Sequence, residues 1–326
     1  MSPERGFVST GRLPDASVVQ RAIEAVHELY RGNEEGRNAQ VYPALARADP
    51  TRFGVCFVSV TGDAYGAGDA DVEFTIMSVA KPFVFALVCQ AGGPEAAAEH
   101  IGVDATGRAF NSLTAVESSP DGRTNPMVNA GAIATTSRVP GATPEDKWAA
   151  VLEGLSGFAG RTLAVDEEVY ASASATNDVN RAASWLLHDR GLLASDPDVA
   201  LDLYTRLCSL SVTARDLAVM GATLADGGVN PVTGRRVLDQ PLCHHVLAVM
   251  LTAGLYEISG EWLYRVGLPG KSGIGGGIVT VSPGKGGLGT YAPPLDAAGN
   301  SVRGQLVARH LSHQLGLDLL TSSPSR

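Results

Sequence analysis

The sequence predicts a mixed α/β chain in which one sheet is assembled from both ends around a helical middle. Three observations carry that expectation. A β-rich run ends in a turn near residue 60, helical periodicity dominates from residue 77 to about 265, and two further β-rich runs follow Lys271 before a closing helix. With 326 residues, 44% of them apolar, the chain is long enough to fill a substantial core.

Taken in order, residues 15–30 place Val18, Val19, Ile23, Val26 and Leu29 at helical spacing, with Asp15 as the N-cap. The run 53–60 is rich in β-branched and aromatic residues and closes at Thr61-Gly62-Asp63, so 64–68 is expected to return as its hairpin partner. Helical signals then cover 78–90, 125–137, 144–158, 166–193, 213–225 and 241–255. The glycine-led run 275–282 and the run 287–291 read as two strands joined at Pro283-Gly284. Residues 300–315 carry Val302, Leu306, Val307, Leu311 and Leu315 on one helical face, and the tail 321–326 is expected to fray. There is no internal repeat and no low-complexity linker.

Composition narrows the function. Thirty-four acidic against 25 basic residues give a net charge of −9, the wrong sign for a phosphate backbone, so no nucleic-acid partner is expected. The longest apolar stretches, such as 83–89, fall far short of the roughly 18 residues a membrane helix needs, and residues 1–13 show no basic start followed by an apolar core. A soluble protein without a secretory signal or membrane partner is expected. Cys56, Cys89, Cys208 and Cys243 form no C-x-x-C pair, and three of them sit in apolar segments, which favours reduced thiols in a cytoplasmic protein.

Two motif readings fail on context. Gly273-Ile274-Gly275-Gly276-Gly277 leads into a strand, whereas a dinucleotide loop needs a helix there. His244 beside His245, and His310 with His313, have no carboxylate or cysteine at ligand spacing, so packing or surface roles are expected and no metal site.

The motif S-x-x-K occurs twice, and about one chance copy is expected in a chain of this size. Ser282-Pro283-Gly284-Lys285 contains a turn that should scatter its two side chains. Ser78-Val79-Ala80-Lys81 opens an apolar helix, and i to i+3 spacing puts both side chains on one face. Lysine activates a serine only if burial lowers its pKa from about 10.4, and the apolar neighbours Ala80 and 83–87 favour that. Only four lysines exist, Lys81, Lys147, Lys271 and Lys285, so the chemistry has few possible owners. A serine at a helix start also has an unsatisfied amide that can serve an oxyanion. By themselves these residues leave two readings open, a catalytic pair or a plain helix start.

Three further blocks join Phe74-Thr75-Ile76-Met77-Ser78-Val79-Ala80-Lys81. They are Asn125-Pro126-Met127-Val128-Asn129-Ala130-Gly131-Ala132-Ile133, Leu224-Ala225-Asp226-Gly227-Gly228-Val229-Asn230-Pro231 and Lys271-Ser272-Gly273-Ile274-Gly275-Gly276-Gly277-Ile278. Together, over residues 16–320, they resemble the signature blocks of the serine-dependent glutaminases, relatives of the serine β-lactamases and penicillin-binding proteins. The resemblance implies a β-lactamase-like fold: an antiparallel-type sheet flanked by helices, plus a helical subdomain. It implies one catalytic domain over 1–326, with sheet parts at about 40–77 and 266–326 and the helical subdomain at about 90–265.

The same resemblance implies that Ser78 is the nucleophile, Lys81 its partner, Tyr256 the tyrosine that shuttles protons and Tyr204 a second active-site tyrosine. Asn129 and Asn180 fall on substrate-anchoring asparagines, although their type alone suggests caps or turns. The oxyanion hole would use the amides of Ser78 and Ile274, where the family usually has valine. No metal or organic cofactor is implied, the partner is a small-molecule amide, and a homo-oligomer, dimer or tetramer, fits the family habit.

The departures concern recognition. Met77 stands where the family has glutamine before the nucleophile, and Ala173 where it has a glutamate that gathers the substrate's ammonium. In Gln40-Val41-Tyr42-Pro43, Val41 falls on a family tyrosine, unless a local slip brings in Tyr42. Asp178 or Glu257 could have replaced the lost acid. The expected reaction is glutamine hydrolysis through a serine acyl-enzyme. The alternatives are a different amide, ester or lactam, and a non-catalytic relic, against which an intact Ser78, Lys81, Tyr204, Tyr256 and Lys271 argue.

Overall fold

The computed structural model describes residues 12–321. The expectations for residues 1–11 and 322–326 lie outside that range. Five strands form one antiparallel sheet in the order β2-β1-β7-β6-β5, with β1 at Gly54–Ser59, β2 at Ala64–Gly68, β5 at Gly270–Ser272, β6 at Gly277–Ser282 and β7 at Gly286–Tyr291. The sheet therefore joins strands from both ends of the chain, as the pattern predicts. β1 and β7 pair with Phe57 opposite Leu288, and β6 and β7 with Thr280 opposite Leu288.

Side-chain alternation decides which helix covers which face. Val55 and Phe57 of β1, with Ile278 and Leu288, pack among Val19, Ile23, Val307 and Leu311 of the helices Ala16–Tyr30 and Val302–Gln314. The intervening Cys56 and Val58 meet Ala218 and Ala222 of the helix Ala214–Ala225 on the other face. That last helix approaches unusually close because β7 carries glycines beneath it. A Cβ on Gly289 would sit 2.0 Å from the Ala214 carbonyl oxygen, and one on Gly287 2.3 Å from that of Ala218.

The remaining helices form the block that borders the site, and several depart from the sequence pattern. The expected helix at 166–193 is two helices, Glu167–Ala175 and Asp178–Asp189, broken at Thr176-Asn177. Helices at Pro94–Ile101, Pro197–Cys208 and Ser259–Val266 were not anticipated. The second had legible signals, since Asp196 caps it by accepting from the amides of Asp198 and Val199 and Pro197 opens it. Asp15 stands at the N-cap of the first helix without making a side-chain cap bond.

A two-stranded sheet also falls in the nominally helical region, pairing β3 at Phe74–Thr75 with β4 at Ser211–Val212. Runs of two residues carry no periodicity to read. The second S-x-x-K copy is structural, as its turn suggested, but its side chains converge. Ser282 Oγ donates to the Leu317 carbonyl at 2.9 Å and Lys285 Nζ to that of Gly316, which fastens the β6–β7 turn to the end of the last helix. All four cysteines are free and buried. Among the described residues no single helix is long and apolar enough to cross a membrane.

The close seat of the helix Ala214–Ala225 on β7 gives a direct test. Gly289→Ala should lower stability by about 2 kcal/mol in urea unfolding, because the two nearest clashing atoms are backbone. Gly32→Ala, with nothing within 4 Å of the new methyl, should change it by less than about 0.5 kcal/mol.

Candidate active site

Ser78 sits in a 3-10 turn, Met77–Ala80, that feeds directly into the α-helix Lys81–Gly92. The apolar helix expected at 78–90 thus begins with one tighter turn. Among the described residues only Met77 and Tyr256 adopt positive φ without being glycine, at 48° and 55°. Strain of this kind persists where the surroundings over-determine it, and both strained residues belong to one site. The loop after β5 closes against this turn, since a Cβ on Gly273 would lie 3.3 Å from the Ser78 amide nitrogen and 2.9 Å from the Ile76 carbonyl oxygen.

The Ser78 hydroxyl lies near enough to the phenol of Tyr256 to favour its ionised form, and that phenol donates to the Ser272 carbonyl at 3.1 Å. Burial pushes the Tyr256 phenol well up, so it stays protonated. Phe110 stacks on Tyr256 with ring centroids 4.4 Å apart, and its amide donates to Glu257 Oε1 at 3.0 Å. Glu257 thereby latches the loop over Tyr256.

Two lysines lie at the base of the site with no exposed surface. Lys81 Nζ donates to Asn129 Oδ1 at 2.7 Å and to the Met127 carbonyl at 3.2 Å. Burial lowers its pKa from 10.5 to about 7. Lys271 Nζ donates to the carbonyls of Gly254 at 3.0 Å and Ser272 at 2.6 Å, and stands 4.3 Å from the centre of the Tyr256 ring. Burial, then the neighbouring Lys81, hold it well below the usual lysine range. Neither amine joins an ion pair among the described residues. The backbone carbonyls solvate them instead.

The two asparagines do not cap their helices with their side chains. Asn129 Oδ1 accepts from Lys81 and from the Tyr204 hydroxyl at 3.2 Å, and its Nδ2 donates to Asn180 Oδ1 at 2.9 Å. Asn180 Nδ2 donates to Asn177 Oδ1 at 2.6 Å, and Asn177 Nδ2 to Thr205 Oγ1 at 2.8 Å. The chain ends where Thr205 donates to the Leu201 carbonyl. Asn177 occupies the break that splits the expected 166–193 helix, and only that break lets its amide enter the chain.

These groups border one cavity. Ser78, Asn129, Asn180, Tyr204 and Ile274 all line it, while Lys81 and Tyr256 act from behind. Sequence reasoning missed Asn177, Cys208, Phe110 and Asn111 in the lining. Cys208 was legible only as a core thiol, one helical turn beyond Tyr204, and burial pushes it up to about 11. Lys271 was noted as part of a motif but not as a site residue. Val41 and Tyr42 both line the cavity, Val41 at its exposed rim and Tyr42 buried beside Tyr204. Burial pushes the Tyr42 phenol to about 12. Asp178, exposed at the head of its helix, and Glu257 are absent from the lining.

The family model described as Glutaminase matches residues 36–320. A protein of Yersinia pestis described as Glutaminase 2 is 61% identical over 318 residues, covering 98% of this chain and 94% of its own length. A solved structure described as probable glutaminase ybaS superposes with a TM-score of 0.93 at 42% identity, covering 95% of this chain and all of that one. The Bacillus subtilis glutaminase YbgJ, solved as a covalent complex with 5-oxo-L-norleucine, superposes with a TM-score of 0.84 at 28% identity, covering 93% of this chain and all of its own.

The depressed Lys81 has a consequence for stability. Between about pH 7 and 10.5 the unfolded chain holds a proton on Lys81 that the folded chain lacks, so folding becomes more favourable as pH rises through that window. The difference in urea-unfolding stability between wild type and Lys81→Met should therefore grow in favour of wild type across that window, on the order of a few kcal/mol, while the four buried thiols, raised by burial, act in both proteins. An equal slope in both proteins would mean that Lys81 keeps its ordinary pKa.

Proposed function

The chain belongs to the glutaminase family, and from that premise we propose that it hydrolyses L-glutamine to L-glutamate and ammonia through an acyl-enzyme on Ser78. The observation that carries this reading is a serine at the mouth of the cavity, beside a buried phenol and one turn from a fully buried lysine whose pKa burial lowers to about 7. That combination supplies a nucleophile, a proton donor and a base at neutral pH without any carboxylate.

In the proposed course, neutral Lys81 receives the Ser78 proton as Oγ attacks the side-chain carbonyl carbon. The amides of Ser78 and Ile274 hold the oxyanion, the term that usually dominates acyl transfer. Tyr256, kept protonated by burial, gives its proton to the departing nitrogen and is reprotonated from Lys81. Ammonia leaves, water takes its place, and the same groups run in reverse to release the acid. Tyr204 and the asparagines Asn129 and Asn180 hold the substrate, and Asn129 also fixes Lys81.

The covalent complex of the Bacillus subtilis relative supports an attacking side chain. The diazo ketone from which it formed places a carbonyl where glutamine has its amide carbon. We also propose one catalytic domain and a cytoplasmic location, the latter supported by four free, buried thiols. Self-association as a dimer or tetramer is proposed on family membership alone.

Ser78→Ala should reduce ammonia release from glutamine to background while leaving the urea midpoint unchanged, since it removes one atom from a pre-formed site. Full turnover in that variant would exclude the serine mechanism. Lys81→Ala and Tyr256→Phe should each lower kcat by about 100-fold or more. The wild-type kcat should rise with pH through about 7, as Lys81 loses its proton, and unchanged rates in both variants would leave Ser78-Val79-Ala80-Lys81 a plain helix start.

A further inference from the structure

The cavity around Ser78 has no Asp, Glu, Lys, Arg or His in its lining among the described residues. Free glutamine brings two charges into it, an α-carboxylate and an α-ammonium. An ammonium can only donate hydrogen bonds, so it needs acceptors, and best of all an anion. The lining asparagines offer only neutral acceptors. Asn129 Oδ1 already accepts from Lys81 and Tyr204, Asn180 Oδ1 accepts from Asn129, and Asn177 Oδ1 accepts from Asn180. Each has a second N–H left over. Neutral amides with N–H groups to spare suit the α-carboxylate, and no anion stands beside them for the ammonium.

Asp178 is exposed at the head of its helix and outside the lining, and the other nearby acids are engaged elsewhere. Glu257 accepts from the Phe110 amide, and Asp296 accepts from the amides of Ala298 and Asn300 and from Gln305. What the cavity offers in place of a charge is apolar surface. Ala173 is buried in its wall, and Val41 and Val179 stand at its rim, 59% and 50% exposed. These two are among the most exposed valines of the described chain, and they share one opening.

We propose that this site takes glutamine whose α-nitrogen is neutral because it is acylated, so that the enzyme deamidates Nα-acyl-L-glutamine. The inference rests on the serine amidase reading above and adds the substrate class. An amide nitrogen carries no charge, and a small apolar acyl group finds Val41 and Val179 where it leaves the cavity. The chemistry is unchanged. Ser78 Oγ bonds to the side-chain carbonyl carbon, the bond from that carbon to nitrogen breaks, and the nitrogen leaves as ammonia with the serine proton. Water then cleaves the ester to give Nα-acyl-L-glutamate and restores Ser78. No oxidant or cofactor enters the balance.

The test compares kcat/KM for Nα-acetyl-L-glutamine and L-glutamine, by ammonia release with the acid products identified by mass. The proposal expects the acetylated substrate to be as good as glutamine to within tenfold, or better. A deficit greater than tenfold overturns it and leaves the glutaminase reading intact, whereas turnover of neither amide overturns both. Ala173→Glu places a carboxylate in the wall and should shift the ratio toward free glutamine by at least about tenfold. Val179→Glu, at a half-exposed rim position that tolerates a charge, should shift it the same way and carries the test if the first variant does not fold. A ratio unmoved by Val179→Glu, and by Ala173→Glu where it folds, overturns the assignment of the ammonium's place.

Discussion

A lysine amine surrounded by backbone and aromatic rings, with no carboxylate in reach, holds its proton poorly at neutral pH, and the site is organised around that fact at Lys81. Desolvation disfavours the charged form, while the Met127 carbonyl and Asn129 Oδ1 keep the amine placed in either protonation state. The burial that depresses Lys81 comes with the apolar segment that follows it, Phe83 to Ala86, whose side chains fill the main core. Core and proposed base are thus one element. The effect reaches β5, where burial and then the neighbouring Lys81 make Lys271 harder to protonate.

The fixed polarity of the amide chain follows from the same constraint. Lys81 can only donate while it is charged and donates still when neutral, so Asn129 must turn its oxygen toward it. That orientation sends the Asn129 amide nitrogen to Asn180, and the order repeats through Asn177 to Thr205. One buried amine at one end therefore decides which atoms the asparagines have left for a substrate. A pocket of neutral amides without an acid is the result, in a chain where Ala173 adjoins them in the wall.

Much of this was legible in the sequence, for identifiable reasons. The central strands and the first and last helices show because burial on one face leaves a period of 2 or 3.6, and the serine and lysine show because three residues on a helix share a face. The β3–β4 pair was invisible because two residues have no period. The break at Thr176-Asn177 was missed because apolar spacing continues across it, and with it went Asn177. By residue type alone Asn129 and Asn180 suggest caps or turns, and only the family resemblance marked them as site residues, because the bond between their side chains joins residues far apart in sequence. The strained φ of Met77 and Tyr256 is set by tertiary closure of the β5 loop, which no local pattern records.

The account depends most directly on the protonation of Lys81, and the chain makes that measurable because it has only four lysines. Selective labelling at lysine Cε and an NMR titration, with Lys81→Met to assign the signal, reads each amine separately. The account predicts that the Lys81 resonance titrates at about 7. A resonance that titrates above about 9 would contradict it, because Lys81 would then be charged throughout the neutral range and could not take the proton of Ser78.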